Sequence, residues 1–265
     1  MKLQSKNIRS AFALSFCMGM LEQIVRGPVL VLYLYHIAES QAWAAWGPNL
    51  AVGFVQGVSG LVKLASVAPI SWLVDSVPTR RVRPLRVSIV LGFITVVAGG
   101  FSLCTDHIAW ATTLSAACGL FMELAQSASR AILTDSIPIG KREGIFVTQW
   151  VCFLAGSATG PFLAAAVVIV SESTEQAHSI QTDELPVKFA LLCGLIVVIP
   201  AAIFIFNFGD PLAAEVESRG RSGDVVTVNV VKHVAKPCKL LCCAGRVVPM
   251  LCLTFSLSRP RVQVA

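Results

Sequence analysis

Charge is scarce in this 265-residue chain: Asp, Glu, Lys and Arg make up 14% of it, against 55% hydrophobic residues. Soluble domains carry about 25% charged residues, and a single core of this size cannot bury so much apolar surface. Disorder is excluded as well, because it requires low hydrophobicity and high net charge. Cysteines are present but not arranged as a disulfide framework. Cys17, Cys104, Cys118, Cys152, Cys193 and Cys252 stand singly in apolar runs, where Cys behaves as a small hydrophobe. There is no Gly-x-x-x-x-Gly-Lys loop to cradle a nucleotide phosphate, so coupling to ATP within this chain has no support. His36, His107, His178 and His233 are all expected in connections or in the tail. A histidine base or a histidine-rich metal site inside an apolar segment is therefore not expected.

What the chain does contain is long apolar runs. A membrane-spanning helix needs about 20 predominantly apolar residues, and six stretches qualify: 11–36, 46–74, 86–104, 108–130, 145–170 and 187–208. An outer-membrane barrel would instead show short alternating segments. Lys2, Lys6 and Arg9 precede the first run in the manner of a signal peptide. That run continues past Tyr33 without a clear cleavage site, so it reads as a first span. An all-α, multi-pass integral membrane protein is expected. Residues 1–209 form the six-helix bundle, 210–239 a polar linker, and 240–265 a stunted seventh apolar segment and tail. Cys238, Cys242 and Cys243 in that tail lie beside Lys236, Lys239 and Arg246, a setting in which palmitoylation occurs, although an unmodified tail is the plainer reading.

Basic residues fix the expected orientation. Lys2, Lys6 and Arg9 precede the first span, and Arg80, Arg81, Arg83 and Arg86 connect the second to the third. Arg130, Lys141 and Arg142 lie at the fourth-to-fifth connection, and Arg219, Arg221, Lys232, Lys236 and Lys239 follow the sixth span. The alternate connections hold Lys188 alone, so the count is fifteen against one. By the positive-inside rule the N-terminus is cytoplasmic. Whether the membrane is the plasma membrane or an organelle's stays open. Basic charge spread in this way serves topology, and no nucleic-acid partner is expected.

Ionisable residues at membrane depth are costly and usually face a bundle interior or a water-filled path. Glu22, Arg26, Lys63 and Glu123 fall there, two acids and two bases. Glu22 and Arg26 are four residues apart, on one helix face. Polar residues repeat around them at helical spacing: Ser15, Gly19, Glu22 and Arg26 in the first segment, and Asn49, Gln56, Ser59 and Lys63 in the second. Thr112, Ser115, Gly119, Glu123, Gln126 and Arg130 follow in the fourth, with Gln149, Cys152, Gly156 and Thr159 in the fifth. Each helix thus carries one polar stripe on an apolar surface, the inverse of a soluble amphipathic helix. Stripes that face one another would line a hydrated cavity; the plainer alternative is that these groups only hold the bundle together. Gly53, Gly57 and Gly60, and Gly156 with Gly160, have the small-residue spacing of close helix packing. Gly57-Val58-Ser59-Gly60 resembles the Gly-x-Ser-Gly of intramembrane serine proteases, but no histidine base is placed to activate Ser59, and an enzyme is not expected.

Two connections carry a resemblance. Ser71-Trp72-Leu73-Val74-Asp75-Ser76-Val77-Pro78-Thr79-Arg80-Arg81 resembles the second-to-third loop signature of the major facilitator superfamily, with Ser71 and Pro78 where that signature has glycines. Arg130-Ala131-Ile132-Leu133-Thr134-Asp135, then Arg142-Glu143-Gly144, is similar to the family's fourth-to-fifth connection. It leads into Gly156-Ser157-Ala158-Thr159-Gly160-Pro161, similar to the core of its fifth-helix signature. The resemblance covers residues 8–209 and implies two inverted three-helix repeats, half of a twelve-helix fold, with the first and fourth helices lining the cavity. It implies a secondary transporter, or its N-terminal half, that moves a small polar or charged solute by alternating access and uses no cofactor. Glu22, Arg26, Gln56, Lys63 and Glu123 would line the path of the solute and a coupled proton or ion. Asp75, Arg80, Arg81, Arg130, Asp135 and Arg142 would form cytoplasmic gate loops, and Gly156, Gly160 and Pro161 would pack helices. The alternative is a truncated membrane protein that transports nothing by itself, inert or paired with a second six-helix chain.

Overall fold

The computed structural model describes residues 2–40, 47–76, 81–178 and 185–210. The expected linker beyond Asp210, the seventh apolar segment and the tail cysteines lie outside the described residues, as does Arg80. The described residues hold eight α-helices: α1 (Lys2–Val25), α2 (Pro28–Ser40), α3 (Pro48–Ser76), α4 (Val82–Thr105), α5 (Ile108–Ser136), α6 (Arg142–His178), α7 (Leu185–Ile196) and α8 (Val198–Phe206). They amount to six spans long and apolar enough to cross a membrane, at Gln4–Glu39, Pro48–Ser76, Val82–Thr105, Ile108–Ser136, Arg142–Val170 and Pro186–Phe206. The protein is a multi-pass, all-helical integral membrane protein. Its outer surface is correspondingly apolar: Leu61, Leu64, Phe93, Phe162, Ile169 and Ile199 are exposed, a surface that a helix can present to lipid because its backbone bonds are satisfied internally.

Two spans are broken, which a reading of hydrophobicity alone treats as continuous. In the first, Pro28 has no N–H to continue the ladder and starts α2 as its first residue, a position where proline is favoured. The Arg26 N–H still bonds the Glu22 carbonyl at 3.0 Å and the Val31 N–H bonds the Gly27 carbonyl at 3.3 Å, so one half-helix ends where the next begins. A Cβ on residue 27 would collide with the Gln23 carbonyl, which is why glycine stands at the break. In the sixth span, Pro200 removes a donor near the start of α8, and the Val197 N–H bonds the Gly194 carbonyl at 3.1 Å in a tighter turn. The first span also runs further than expected, so that His36 and Glu39 belong to α2 and not to a connection.

The centre of the bundle is α5 together with α1. The apolar window of the fourth span is 61% buried, against 17% for the second and fifth spans. Small residues bring α1 onto α6: a Cβ on Gly19 would strike the Phe153 carbonyl, and one on Gly156 the Phe16 carbonyl. Gly160 meets the Met20 carbonyl of the same helix, at 3.1 Å from the place a Cβ would take. Gly53, Gly57 and Gly60 on α3 have nothing within 4 Å of that place among the described residues. Their spacing permits close packing, but here it faces outward.

Polar pins hold the two ends of the bundle. Asn7, fully buried, donates to the Gly209 carbonyl at 2.9 Å and accepts from the Gly209 N–H at 3.0 Å, tying the start of the first span to the exit of the sixth. Asp210 accepts from the Val82 N–H at 2.9 Å, satisfying a free donor at the start of α4. At the opposite end the Tyr33 hydroxyl reaches Asp106 at 3.1 Å, and Lys188 pairs with Asp106 at 2.7 Å, joining the first, third and sixth spans.

Candidate functional site

The polar stripes of α1, α3 and α5 converge at the break in the first span. One Glu22 carboxylate oxygen lies 3.7 Å from the Arg26 guanidinium and 3.7 Å from the Lys63 ammonium. Arg26 also donates to the Ser59 hydroxyl at 3.0 Å, and Ser59 in turn donates to the Ser115 carbonyl of α5 at 3.2 Å. The Gln56 amide donates to the Arg26 carbonyl at 3.4 Å, taking an acceptor that the interrupted helix leaves without its usual partner. Gly119 leaves room for the Lys63 side chain on α5: a Cβ there would lie 3.2 Å from Lys63 Cε. Each part of the cluster therefore follows from local sequence. The Arg26-Gly27-Pro28 break frees the backbone groups, the i, i+7 spacing of Gln56 and Lys63 aligns α3, and Gly119 opens α5.

The electrostatics differ from the expected balance of two acids and two bases. Glu123 makes no ion pair within 4 Å among the described residues, so Glu22 alone faces two cations and the cluster carries one net positive charge. The Arg26 side chain is 11% exposed, and its Nε, buried, has no hydrogen-bond partner among the described residues. Buried guanidinium donors normally find acceptors. A group that brings an acceptor and a negative charge fits this cluster on both counts. Ser59 is engaged by Arg26 and Ser115, and its hydroxyl connects three spans.

The residues expected at gate loops do not act alike. Arg81 and Asp135 form an ion pair at 3.0 Å that joins the second-to-third connection to the end of α5, and Arg81 also approaches the Ala131 carbonyl at 3.4 Å. Arg142 donates to the Thr134 carbonyl at 2.7 Å and the Ile137 carbonyl at 3.0 Å, closing the C-terminal end of α5. Asp75 is exposed in the last turn of α3, with no ion pair among the described residues. Arg130 is not in a connection but inside α5, with a long hydrogen bond to Gln126 at 3.5 Å. Gly156 and Gly160 pack against α1, and the adjacent Pro161 sits exposed within α6.

Sequence reasoning placed Lys63 on a polar stripe but did not identify its partner, and it missed the link that the Ser59 hydroxyl makes between Arg26 and the Ser115 backbone carbonyl. Half of the signal was there, since Ser59 occupies the same periodic stripe as Lys63, whereas a backbone acceptor leaves no mark in the sequence. No group of three or more His, Cys, Asp or Glu suited to a metal ion occurs among the described residues. No family model, no curated protein and no solved structure matches this chain.

Proposed function

We propose that this chain is a secondary transporter, or one half of one, that moves a small anionic solute across the membrane by alternating access. The observation that carries this reading is the cluster of Glu22, Arg26 and Lys63, gathered at a broken helix in the depth of a six-span bundle. Discontinuous spans with charged groups at the break are a recurring means of building transport sites near the bilayer midplane. An arrangement serving only cohesion would be costly, because interhelical polar contacts in membranes average roughly 0.6 kcal/mol.

The chemistry suggests a coupling device. Glu22 occupies Arg26 and Lys63 when ionised and competes with an incoming anion for both. When protonated it releases them, so proton and anion binding favour one another, and this coupling is reciprocal. The cytoplasmic N-terminus implied by the basic connections belongs to the same reading.

The packing scheme lends support to the inverted repeat. The first span packs on the fifth as the fourth packs on the second, and the fourth packs on the third as the first packs on the sixth. Exchanging the first three spans for the last three maps these pairs onto one another. The fifth-to-sixth contact has no comparably extensive counterpart between the second and third, nor has the first-to-second contact one between the fourth and fifth.

Uptake of a radiolabelled panel of small carboxylates and phosphates into proteoliposomes containing the full chain tests the proposal. Uptake above empty vesicles, raised by an inward proton gradient and lowered about tenfold by Arg26→Gln, is the expected result. Uptake of no panel member, or equal uptake by Glu22→Gln/Arg26→Gln and the natural sequence, overturns it.

A further inference from the structure

We infer that a second site, a cavity of about 250 Å³ between α1, α5 and α6, binds a small planar ligand: an aromatic ring bearing one anionic group. This deepens the transport reading by naming a solute class, and rests on that reading only for the claim that the ligand is carried.

The polar lining comes from facing helices. Gln149 of α6 and Ser15 of α1, each 5% exposed, line the cavity. An amide and a hydroxyl, each able to donate and to accept, suit a ligand's polar edge. Arg130 supplies the positive charge. Its hydrogen bond to Gln126, at 3.5 Å, is at the limit of a real interaction, and most of its forked donor set stays available.

The apolar lining is aromatic. Trp150 and Phe153 stack on one another, ring planes 5° apart and centroids 5.2 Å apart, and both line the cavity, Trp150 at 52% exposure. Phe146, one turn before Trp150, adds a third ring. Such a lining favours an aromatic ligand, which can stack on these rings, and Arg130 favours its anionic substituent. The volume sets the size, since pockets for drug-sized ligands span roughly 300–1,000 Å³, and a smaller cavity suits one or two rings.

The cavity also continues the ion cluster. Ser15 precedes Glu22 by seven residues and Gln126 follows Gly119 by seven, two turns or about 10 Å along each helix. The two helices run in opposite directions through the bundle, so both offsets lead to the same end. Glu123 lies between the two sites on α5. An anion held at Arg130 is thus about three turns, roughly 16 Å, from Lys63 at Gly119 along one pair of facing stripes.

Binding to the full chain in lipid nanodiscs decides the matter without any transport assay. The probes are benzoate, 2-naphthoate and phenyl phosphate, compared with benzamide, which lacks the charge, and cyclohexanecarboxylate, which lacks the aromatic ring. At least one aromatic anion is expected to bind more tightly than both controls by about tenfold or more. Phenyl phosphate against benzoate shows which anion Arg130 prefers. Arg130→Gln is expected to remove the advantage over benzamide, and Arg130→Lys to restore part of it. Trp150→Leu is expected to remove the advantage over cyclohexanecarboxylate, and Gln149→Leu to weaken every probe. The inference is overturned if no aromatic anion outbinds the controls, or if Arg130→Gln and Trp150→Leu leave the preference intact. Binding with no uptake of the same probe into proteoliposomes would sink the transport reading and spare the site. Uptake that ignores Arg130→Gln would do the reverse.

Discussion

At the scale of single residues, the charge on Glu22 holds two cations that nothing else among the described acids balances. Glu22→Gln leaves Arg26 and Lys63 beside each other without a counter-charge. Breaking a fully buried pair costs about 3–5 kcal/mol. Glu22 keeps 31% of its exposure and Lys63 28%, so about 1–2 kcal/mol is the expected loss once solvent screening is allowed for. Thermal unfolding in detergent checks it: the midpoint falls for Glu22→Gln and partly recovers in Glu22→Gln/Lys63→Gln, where one cation has gone with the acid. A single variant as stable as the natural sequence would mean that the ion pairs contribute no cohesion. Much of this cluster was legible in the sequence, because charges in apolar runs stand out and Glu22 and Arg26 are one helical turn apart. The choice of Glu22 over Glu123 by Lys63 was not, since helical spacing gives the face of a residue but not the neighbour across from it. The aromatic cavity was harder still. Phe146, Trp150 and Phe153 in an apolar run read equally well as lipid-facing residues, as Trp150 at 52% exposure in part is, and only the neighbouring Gln149 marked a buried face.

At the scale of elements, glycines with the same spacing do opposite things. Gly19 on α1 and Gly156 on α6 each occupy space that a Cβ would need from the other helix's backbone, whereas Gly53 and Gly57 on α3 face nothing within 4 Å among the described residues. A GxxxG spacing therefore shows that a helix is able to pack closely, and the bundle decides whether it does. Gly156→Leu forces α1 and α6 apart, at a cost of at least the roughly 1–3 kcal/mol typical of overpacking, because the obstacle is backbone. Gly53→Leu adds only surface and exchanges a poor helix former for a good one. Expressed side by side, Gly156→Leu should lose monodisperse protein on gel filtration while Gly53→Leu keeps it. The reverse order would refute the α1–α6 crossing. The break in the first span obeys the same logic at Gly27, where alanine would meet the Gln23 carbonyl. Gly27→Ala is expected to lower the unfolding midpoint, a cost that an unbroken helix, in which alanine is preferred to glycine, would turn into a gain.

At the scale of the whole molecule, the spans and the basic connections make one prediction together. Six spans put Lys2 and Gly209 at the same end of the bundle, and Asn7 joins that end directly through its paired hydrogen bonds to Gly209. The same end holds the Arg81–Asp135 pair and Arg142, whereas the Asp106–Lys188 pair lies at the other. The six apolar runs were plain in the sequence because the bilayer demands length and continuity of any spanning helix. The two breaks were marked only by Pro28 and Pro200 within apolar runs, and a proline in a span signals a kink without saying whether the helix is interrupted, as Pro69 and Pro161 inside unbroken helices show. The direction in which this bundle crosses the membrane is predicted from charge alone. Lys and Arg in short connections are held on the cytoplasmic side during insertion, and fifteen against one is a heavy bias. Cysteines introduced at Ser5, Lys141 and His107, in a background with the nine native cysteines replaced, read this out with a membrane-impermeant maleimide. In sealed vesicles of known orientation, Ser5→Cys and Lys141→Cys should react only from the cytoplasmic face and His107→Cys only from the other. Labelling of all three from one face would mean that the bundle does not cross in six alternating passes. Labelling in the opposite sense would leave the six passes standing and show that charge does not orient this chain.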